Sequence, residues 1–511
     1  MALARTYSVA LMGLSGSVIE VEADISSNLP SIVLIGLPDA ALAESRDRVR
    51  AAAANSGCPL TGRKLTINLS PAALPKHGSG FDLAIALASL AAAGDISAQS
   101  VESVVHLGEL GLDGRLRPMA GILPSALAAA QAGKTKLMVP AGNADEAALV
   151  PGITVVPIAS LRDAAIWHGG TFDPIPVTAL SAPAMPEQPD TEYDLADVIG
   201  NDDAVNALQV AAAGGHHMFL LGPPGAGKTM LAERLPSVLP DLDGQAALEA
   251  TSIRSLSGRP VGSRLVRRPP MEAPHHTATA AAIIGGGSGR IRPGAAVRAS
   301  HGVLFLDEAP EFAGAVLDVL RQPLESGRIS IHRANGVAHF PGRFQLVMAA
   351  NPCPCGQYGA SDNECTCTPS ARRRYFGRLS GPLMDRVDIR LTLRRVTTTQ
   401  MRLAQDVPRV SSREARARVV EARAAARERL AGTPWATNSQ VSGPWLRQAA
   451  QRIGRSATAS LDRALEHGTI TMRGYDRTLR LAWTIADIEG AGRPSAEHVG
   501  AALYLRKGTI P

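Results

Sequence analysis

The eight residues Gly222, Pro223, Pro224, Gly225, Ala226, Gly227, Lys228 and Thr229 constrain this chain more than any other stretch. They fit G-x-x-x-x-G-K-[ST]. The apolar Met218-Phe-Leu-Leu221 before them reads as a short buried strand, and Met230-Leu-Ala-Glu-Arg-Leu235 after them has helical spacing. A strand feeding a glycine-rich turn and then a helix start aims backbone N–H groups and the positive helix end at one point. Such a cradle holds a nucleotide's phosphates. Lys228 would reach the β- and γ-phosphates, and the Thr229 hydroxyl would hold Mg²⁺. The chain is therefore expected to contain an α/β nucleotide-binding fold that uses ATP and Mg²⁺.

A chain of 511 residues exceeds what one core can organise, so two to four domains are expected. Phe172 to Asp190 holds five prolines and little apolar periodicity, which predicts a stiff linker over 172–192. It separates an N-terminal block, 1–171, from an ATPase core, 193–395, and a helix-rich block, 396–511. The longest uncharged apolar run, Leu83 to Gly94, is too short to span a bilayer. Met1-Ala-Leu-Ala-Arg-Thr-Tyr does not resemble a secretory signal, so a cytoplasmic protein without a membrane partner is expected. The net charge of +6 favours an anionic partner such as nucleic acid.

Val303-Leu-Phe-Leu306 is a run suited to a central parallel strand, and it ends in Asp307 and Glu308. There Asp307 would hold the Mg²⁺ shell and Glu308 would act as general base on the attacking water. Phe344 to Ala350 is a further apolar strand ending in Asn351, placed to contact that water or the γ-phosphate. Gly381-Pro-Leu-Met-Asp-Arg386 offers an arginine of the kind that completes a neighbouring subunit's site in ring ATPases. Thr471 opens a helix carrying Arg473 and Arg477, either of which would touch the phosphate in cis.

Further segments make a specific resemblance: Ala273-Pro-His275-His276, Ile284-Gly-Gly-Gly287, Arg292-Pro-Gly294, Arg321-Gln-Pro-Leu-Glu325, Ala350-Asn-Pro-Cys-Pro-Cys-Gly356 and Trp483-Thr-Ile-Ala-Asp487. Together with the phosphate loop and acid pair, they resemble the ComM/YifB-type, magnesium-chelatase-like AAA+ ATPases over almost the whole chain. The resemblance implies an AAA+ P-loop core with a helical lid, a homo-hexameric ring, and DNA branch-migration activity during recombination of incoming DNA. Asn201, His217 and Trp483 depart from the family pattern, and Trp483 puts the lid contacts in question. His275 and His276 would point to opposite sides of an extended segment and lack a third metal ligand.

Alternation around Asn335-Gly336 predicts a β-hairpin over 327–340. In the resembled clade this hairpin enters the ring pore, where Arg328, His332 and Arg333 would grip single-stranded or branched DNA; an ordinary edge hairpin is the alternative. Cys353, Cys355, Cys365 and Cys367 form two C-x-C pairs. In extended backbone, favoured by Pro352 and Pro354, each pair would present its thiolates on one side, suiting a structural Zn²⁺. Free thiols are the alternative, and Cys58 reads as a core residue. The charged run from Ser411 to Leu430 reads as a solvated helix face, with phosphate contact the alternative.

In the N-terminal block, Val104 to Pro118 resembles the Lon-protease/S5 domain 2-like α+β fold. Aligned there, the catalytic serine position falls on Gly80, with Ser79 one place early. Pro124 and Ser125 stand where the partner lysine is expected. A serine without its base is inert, so this block reads as a non-catalytic scaffold. The sequence thus predicts an ATPase and an ATP-dependent hexameric DNA motor. A chelatase-like subunit remodelling a partner protein and a regulatory ATPase scaffold are the rivals.

Overall fold

A computed structural model describes residues 2–36, 40–74, 76, 78–182, 193–287, 291–333, 336–358, 365–403, 408–450 and 453–507. The first strands are β1 Ala2–Met12, β2 Ser15–Ser26, β3 Ser31–Ile35, β4 Lys64–Ser70, β5 Val105–His106, β6 Glu109–Leu110, β7 Leu116–Arg117, β8 Lys136–Pro140 and β9 Thr154–Ile158. Among the described residues seven of them form one sheet in the order β3-β4-β2-β1-β5-β8-β9. Its middle pairs, β4 with β2 and β2 with β1, are antiparallel, and the rest are parallel. Ile19, Val21 and Ala23 alternate inward along β2, and the helix Asp82–Ala93 packs over β1 and β2. That helix is buried from Asp82 to Ala92, which explains its uninterrupted apolar run.

The remaining strands are β10 Met218–Leu221, β11 Met271–Glu272, β12 Gly285–Gly286, β13 Arg292–Pro293, β14 Val303–Leu306, β15 Arg328–Arg333, β16 Gly336–Pro341, β17 Gln345–Ala350 and β18 Ile389–Thr392. Five make an all-parallel sheet in the order β11-β14-β17-β10-β18. β10, β14 and β17 are buried along their whole lengths, as strands covered on both faces must be. The order decides the site. β17 lies between β10 and β14, so its C-terminal tip falls between the phosphate loop and the acid pair.

Beyond β18 the longer helices are Ser412–Arg429, Gly443–Ala450, Arg455–Glu466, Met472–Ile488 and Ala496–Lys507. Ser411 closes a capping box with Glu414, and Thr471 caps the helix carrying Arg473 and Arg477. The arginine-rich face of Ser412–Arg429 departs from the solvated helix expected. Arg416 donates to the Ser237 carbonyl at 2.8 Å, Arg423 to Ala212 at 2.7 Å, and Arg429 to Asp487. Their long stems let these cations cross the helix edge and bind core carbonyls. Arg413, Arg418 and Arg427 remain exposed.

Residues 172–182 carry no regular structure, and 183–192 of the expected linker lie outside the described residues. The two sheets are joined by packing as well as by chain. The Gly121 N–H donates to the Ser255 carbonyl at 3.2 Å, Ser255 donates to the buried Glu146 carboxylate, and Leu248 and Leu265 pack on the N-terminal core. No helix among the described residues is long and apolar enough to cross a membrane.

Candidate active site

The phosphate loop joins β10 to the helix Lys228–Glu233, whose cap is Gly227. Gly225 and Gly227 have φ of +77° and +86°, and an added Cβ would meet nothing within 4 Å at either. Their need for glycine is therefore conformational and not steric. Gly222 is the opposite case, because a Cβ there would lie 2.7 Å from the Leu393 carbonyl. Ala226 is buried under the loop, and its carbonyl is 3.5 Å from the Asn201 amide. The departure at Asn201 thus keeps a weak polar contact to the loop.

Lys228 is buried, and its ammonium donates to the Gly222 carbonyl at 2.6 Å, Pro223 at 3.1 Å and Asn351 Oδ1 at 3.0 Å. Burial pulls its pKa below the usual lysine value, while Asp307 and Glu308 act to raise it. Thr229 Oγ1 donates to Asp307 Oδ2 at 2.8 Å, and the Glu308 N–H donates to Asp307 Oδ1 at 2.9 Å. Asp307 is thereby fixed beside the Thr229 hydroxyl, and Glu308 projects past it. Glu308 has φ +50°, one of two non-glycine residues in the left-handed region among the described residues. Backbone strain of about 1–2 kcal/mol at such a residue is what aiming the carboxylate away from the strand axis costs.

The structure thus gathers Lys228, Thr229, Asp307, Glu308 and Asn351. The donor set suits ATP with Mg²⁺: N–H groups and an ammonium for phosphate, a hydroxyl and a carboxylate for the ion. The three arginines expected at the site lie elsewhere. Arg386 is buried and bound to Glu325 and the Pro382 carbonyl. Arg477 donates to Asp388 at 2.5 Å and to the Arg386 carbonyl at 3.0 Å. Arg473 is exposed one helical turn earlier. No contact joins any of the three to Lys228 or Asn351 among the described residues. Asp388 lies well below the usual carboxylate range despite burial that opposes its ionisation, because Arg477 and His216 face it.

The histidine pair does not point to opposite sides. The His275 and His276 rings lie 4.1 Å apart, and His276 Nδ1 is 3.3 Å from Glu308 Oε2. No spacing in the sequence ties residue 276 to 308. Only the pairing of β11 with β14 brings them together. His217 is half-buried, accepts the Leu346 N–H at 3.0 Å, and has its pKa pushed down to about 4 by desolvation. Trp483 is buried beneath the Arg429 guanidinium, 4.3 Å from the ring.

Cys353, Cys355, Cys365 and Cys367 converge with sulfurs all within 4.8 Å of one another. Three of the separations are 3.3, 3.7 and 3.7 Å. Tetrahedral thiolates at the usual zinc bond length stand about 3.8 Å apart, so the set fits Zn²⁺. The backbone is not extended as expected. Residues 353–356 form a turn, with the Gly356 N–H on the Cys353 carbonyl at 3.0 Å and Gly356 at φ +79°. A Cβ at Gly356 would lie 2.7 Å from Pro224, so the cysteine turn rests against the phosphate loop. Cys58 is buried in the N-terminal core.

In the hairpin, Ile329, Ile331, Ala338 and Phe340 face inward, while Arg328, His332 and His339 are exposed. Asn335 and the Arg333 side chain lie outside the described residues. In the N-terminal block, Ser79 donates to the Glu109 carboxylate. Lys76 is fully buried on the Gly36 and Pro71 carbonyls, and Pro124 and Ser125 are buried. Pro75 and His77 lie outside the described residues.

Family models match three stretches of the chain. "Magnesium chelatase, subunit ChlI" matches residues 194–401, "Subunit ChlI of Mg-chelatase" 21–143, and "Magnesium chelatase, subunit ChlI C-terminal" 409–506. An uncharacterized protein of Mycobacterium tuberculosis is 48% identical over 99% of both chains. The uncharacterized protein YifB of Escherichia coli is 38% identical over 99% of this chain and 97% of its own. The competence protein ComM of Haemophilus influenzae is 37% identical over 99% and 98%.

Proposed function

The chain belongs to the ComM/YifB-type, magnesium-chelatase-like AAA+ ATPase family, and we propose that it is an ATP-dependent hexameric DNA motor of the branch-migration or helicase type. Its work would lie in DNA recombination or in uptake of transforming DNA, as the name of the competence relative suggests. ATP with Mg²⁺ supplies the transferable phosphoryl group. Lys228 and the loop N–H groups hold the phosphates, Thr229 and Asp307 would hold the ion, and Glu308 takes the proton from water. Asn351 orients that water, and Arg386, held here by Glu325 and the Pro382 carbonyl, is the arginine the ring reading assigns to a neighbouring copy's site.

The observation that carries the proposal is continuity of chain. The helices Gly314–Asp318 and Arg321–Ser326 run from just after Glu308 into β15, and β16 leads to β17, which ends before Asn351. In sequence the basic hairpin lies between Glu308, at the C-terminal end of β14, and the start of β17 at Gln345, whose opposite end carries Asn351. Hydrolysis there has a direct route to a surface able to hold DNA. The chelatase description of the matching family models favours a second reading, in which the same stroke remodels a partner protein.

The test is ATPase rate with and without forked DNA, for the wild type and for Arg328→Ala and Arg333→Ala. Stimulation by DNA, lost in both variants while basal turnover stays, supports the motor. Equal loss of both rates removes the hairpin from DNA contact, and no stimulation by any DNA defeats the proposal.

A further inference from the structure

The cysteine turn and the helix behind it, Pro369–Phe376, carry a surface that the ATP site does not use. The helix is capped by the Thr368 side chain and has two faces. Inward, Tyr375 is buried, and its ring packs edge-on to Phe376 at 5.3 Å. Outward, Arg373 and Arg374 are exposed, and neither has an acidic partner among the described residues. The Arg372 guanidinium sits 3.9 Å from the centre of the Tyr358 ring, which stays 38% exposed.

A single basic residue in the last turn would satisfy the helix dipole. Three successive arginines, the first stacked on an aromatic ring and the other two without a carboxylate partner among the described residues, call for an extended anion with flat apolar groups. Single-stranded nucleic acid has that chemistry: phosphates for the guanidinium groups and bases to stack on the ring. The site is also wired to the nucleotide. The turn that bears Tyr358 rests on Pro224 of the phosphate loop, and Arg395 bridges the two through the Pro224 carbonyl at 3.1 Å and Gln357 at 3.4 Å.

We infer that Tyr358, Arg372, Arg373 and Arg374 form a second contact site for single-stranded nucleic acid, separate from the hairpin. The inference rests on the DNA-motor reading. It is tested by fluorescence anisotropy of a labelled oligo(dT) against the full chain over a range of NaCl concentrations. The proteins are the wild type, the double variant Arg373→Gln/Arg374→Gln, Tyr358→Ala, and Arg328→Ala as the hairpin control.

Loss of two phosphate contacts makes the slope of log affinity against log salt shallower by about 1.4. Loss of the ring weakens binding about tenfold, within the range of a single stacking contact. The double variant keeps its basal ATPase rate, since neither arginine touches the ATP site. An unchanged slope and affinity in the double variant overturns the inference. So does loss of oligomer on sedimentation with DNA binding intact, which would make the arginines a subunit contact, or loss of binding to anionic vesicles alone. A wild type that binds no oligonucleotide defeats the motor reading itself, whereas weakening by Arg328→Ala but not by the double variant defeats only this second site.

Discussion

At the scale of single residues, the site is a set of charges arranged to need one another. Glu308 lies beside His276 and is backed by Asp307, and its left-handed backbone is the local distortion that frees its carboxylate. Glu308→Gln keeps the shape and removes the base. ATP binding by a fluorescent analogue should persist while turnover falls by at least about 100-fold; retained turnover would assign the base elsewhere. A second residue-scale prediction concerns two histidines far from this site. His106 Nε2 and His168 Nε2 lie 2.9 Å apart, with Thr6 on His106 and Ser100 on His168. Burial holds His106 well below its ordinary value and His168 down to about 4. Unfolded imidazoles take up a proton near pH 6.5. Between there and about 4 the unfolded chain therefore binds more protons than the folded one. This part of the stability is whole above pH 6.5 and is lost as pH falls toward 4. The urea midpoint should drop between pH 7 and 5, and His106→Gln should flatten that drop; an equal drop in the variant would clear the pair. The sequence could not show either contact, because His276 and Glu308 meet through strand pairing and His106 and His168 through the sheet and a distant helix.

At the scale of elements, the strands that carry the chemistry were legible, because buried parallel strands read as unbroken apolar runs ending in polar residues. Met218–Leu221 and Val303–Leu306 have the bounds their composition predicts. The hairpin was legible too, from its alternation. The order that inserts β17 between β10 and β14 was not, since neighbours in a parallel sheet are set by crossovers and leave no local pattern. The cysteine turn was half legible. Ligand type and spacing predicted convergence, but the turn at 353–356, which makes it, depends on Gly356 at positive φ. Metal analysis should find about one zinc per chain. In Cys353→Ser it should fall toward a tenth or less, with a lower melting temperature, because the turn would lose its staple against Pro224. Zinc-free wild type with all four thiols reactive would refute the metal site.

At the scale of the whole molecule, the N-terminal block is more than a neighbour of the ATPase core. The β1–β2 turn, Met12 to Leu14, packs against the hairpin, where Met12 meets Gly336 and Gly13 meets the backbone of His339. A Cβ on Gly13 would lie 2.8 Å from the His339 carbonyl and would also have to adopt φ +66°. Gly13→Val should therefore cost about 1–3 kcal/mol of stability and disturb the hairpin's seating. DNA-stimulated ATPase should fall further than basal ATPase; an equal fall would mean the turn supports only the fold. Ser79 is held by a carboxylate with no amine on it among the described residues, and bracing the hairpin is a role that needs no nucleophile.

The central claim is that ATP hydrolysis at Lys228 and Glu308 moves DNA. It is tested most directly by strand displacement on forked and three-stranded DNA, with Lys228→Ala and Glu308→Gln beside the wild type. ATP-dependent displacement by the wild type, absent from both variants, is the expected result. Hydrolysis without movement of any branched substrate would contradict it.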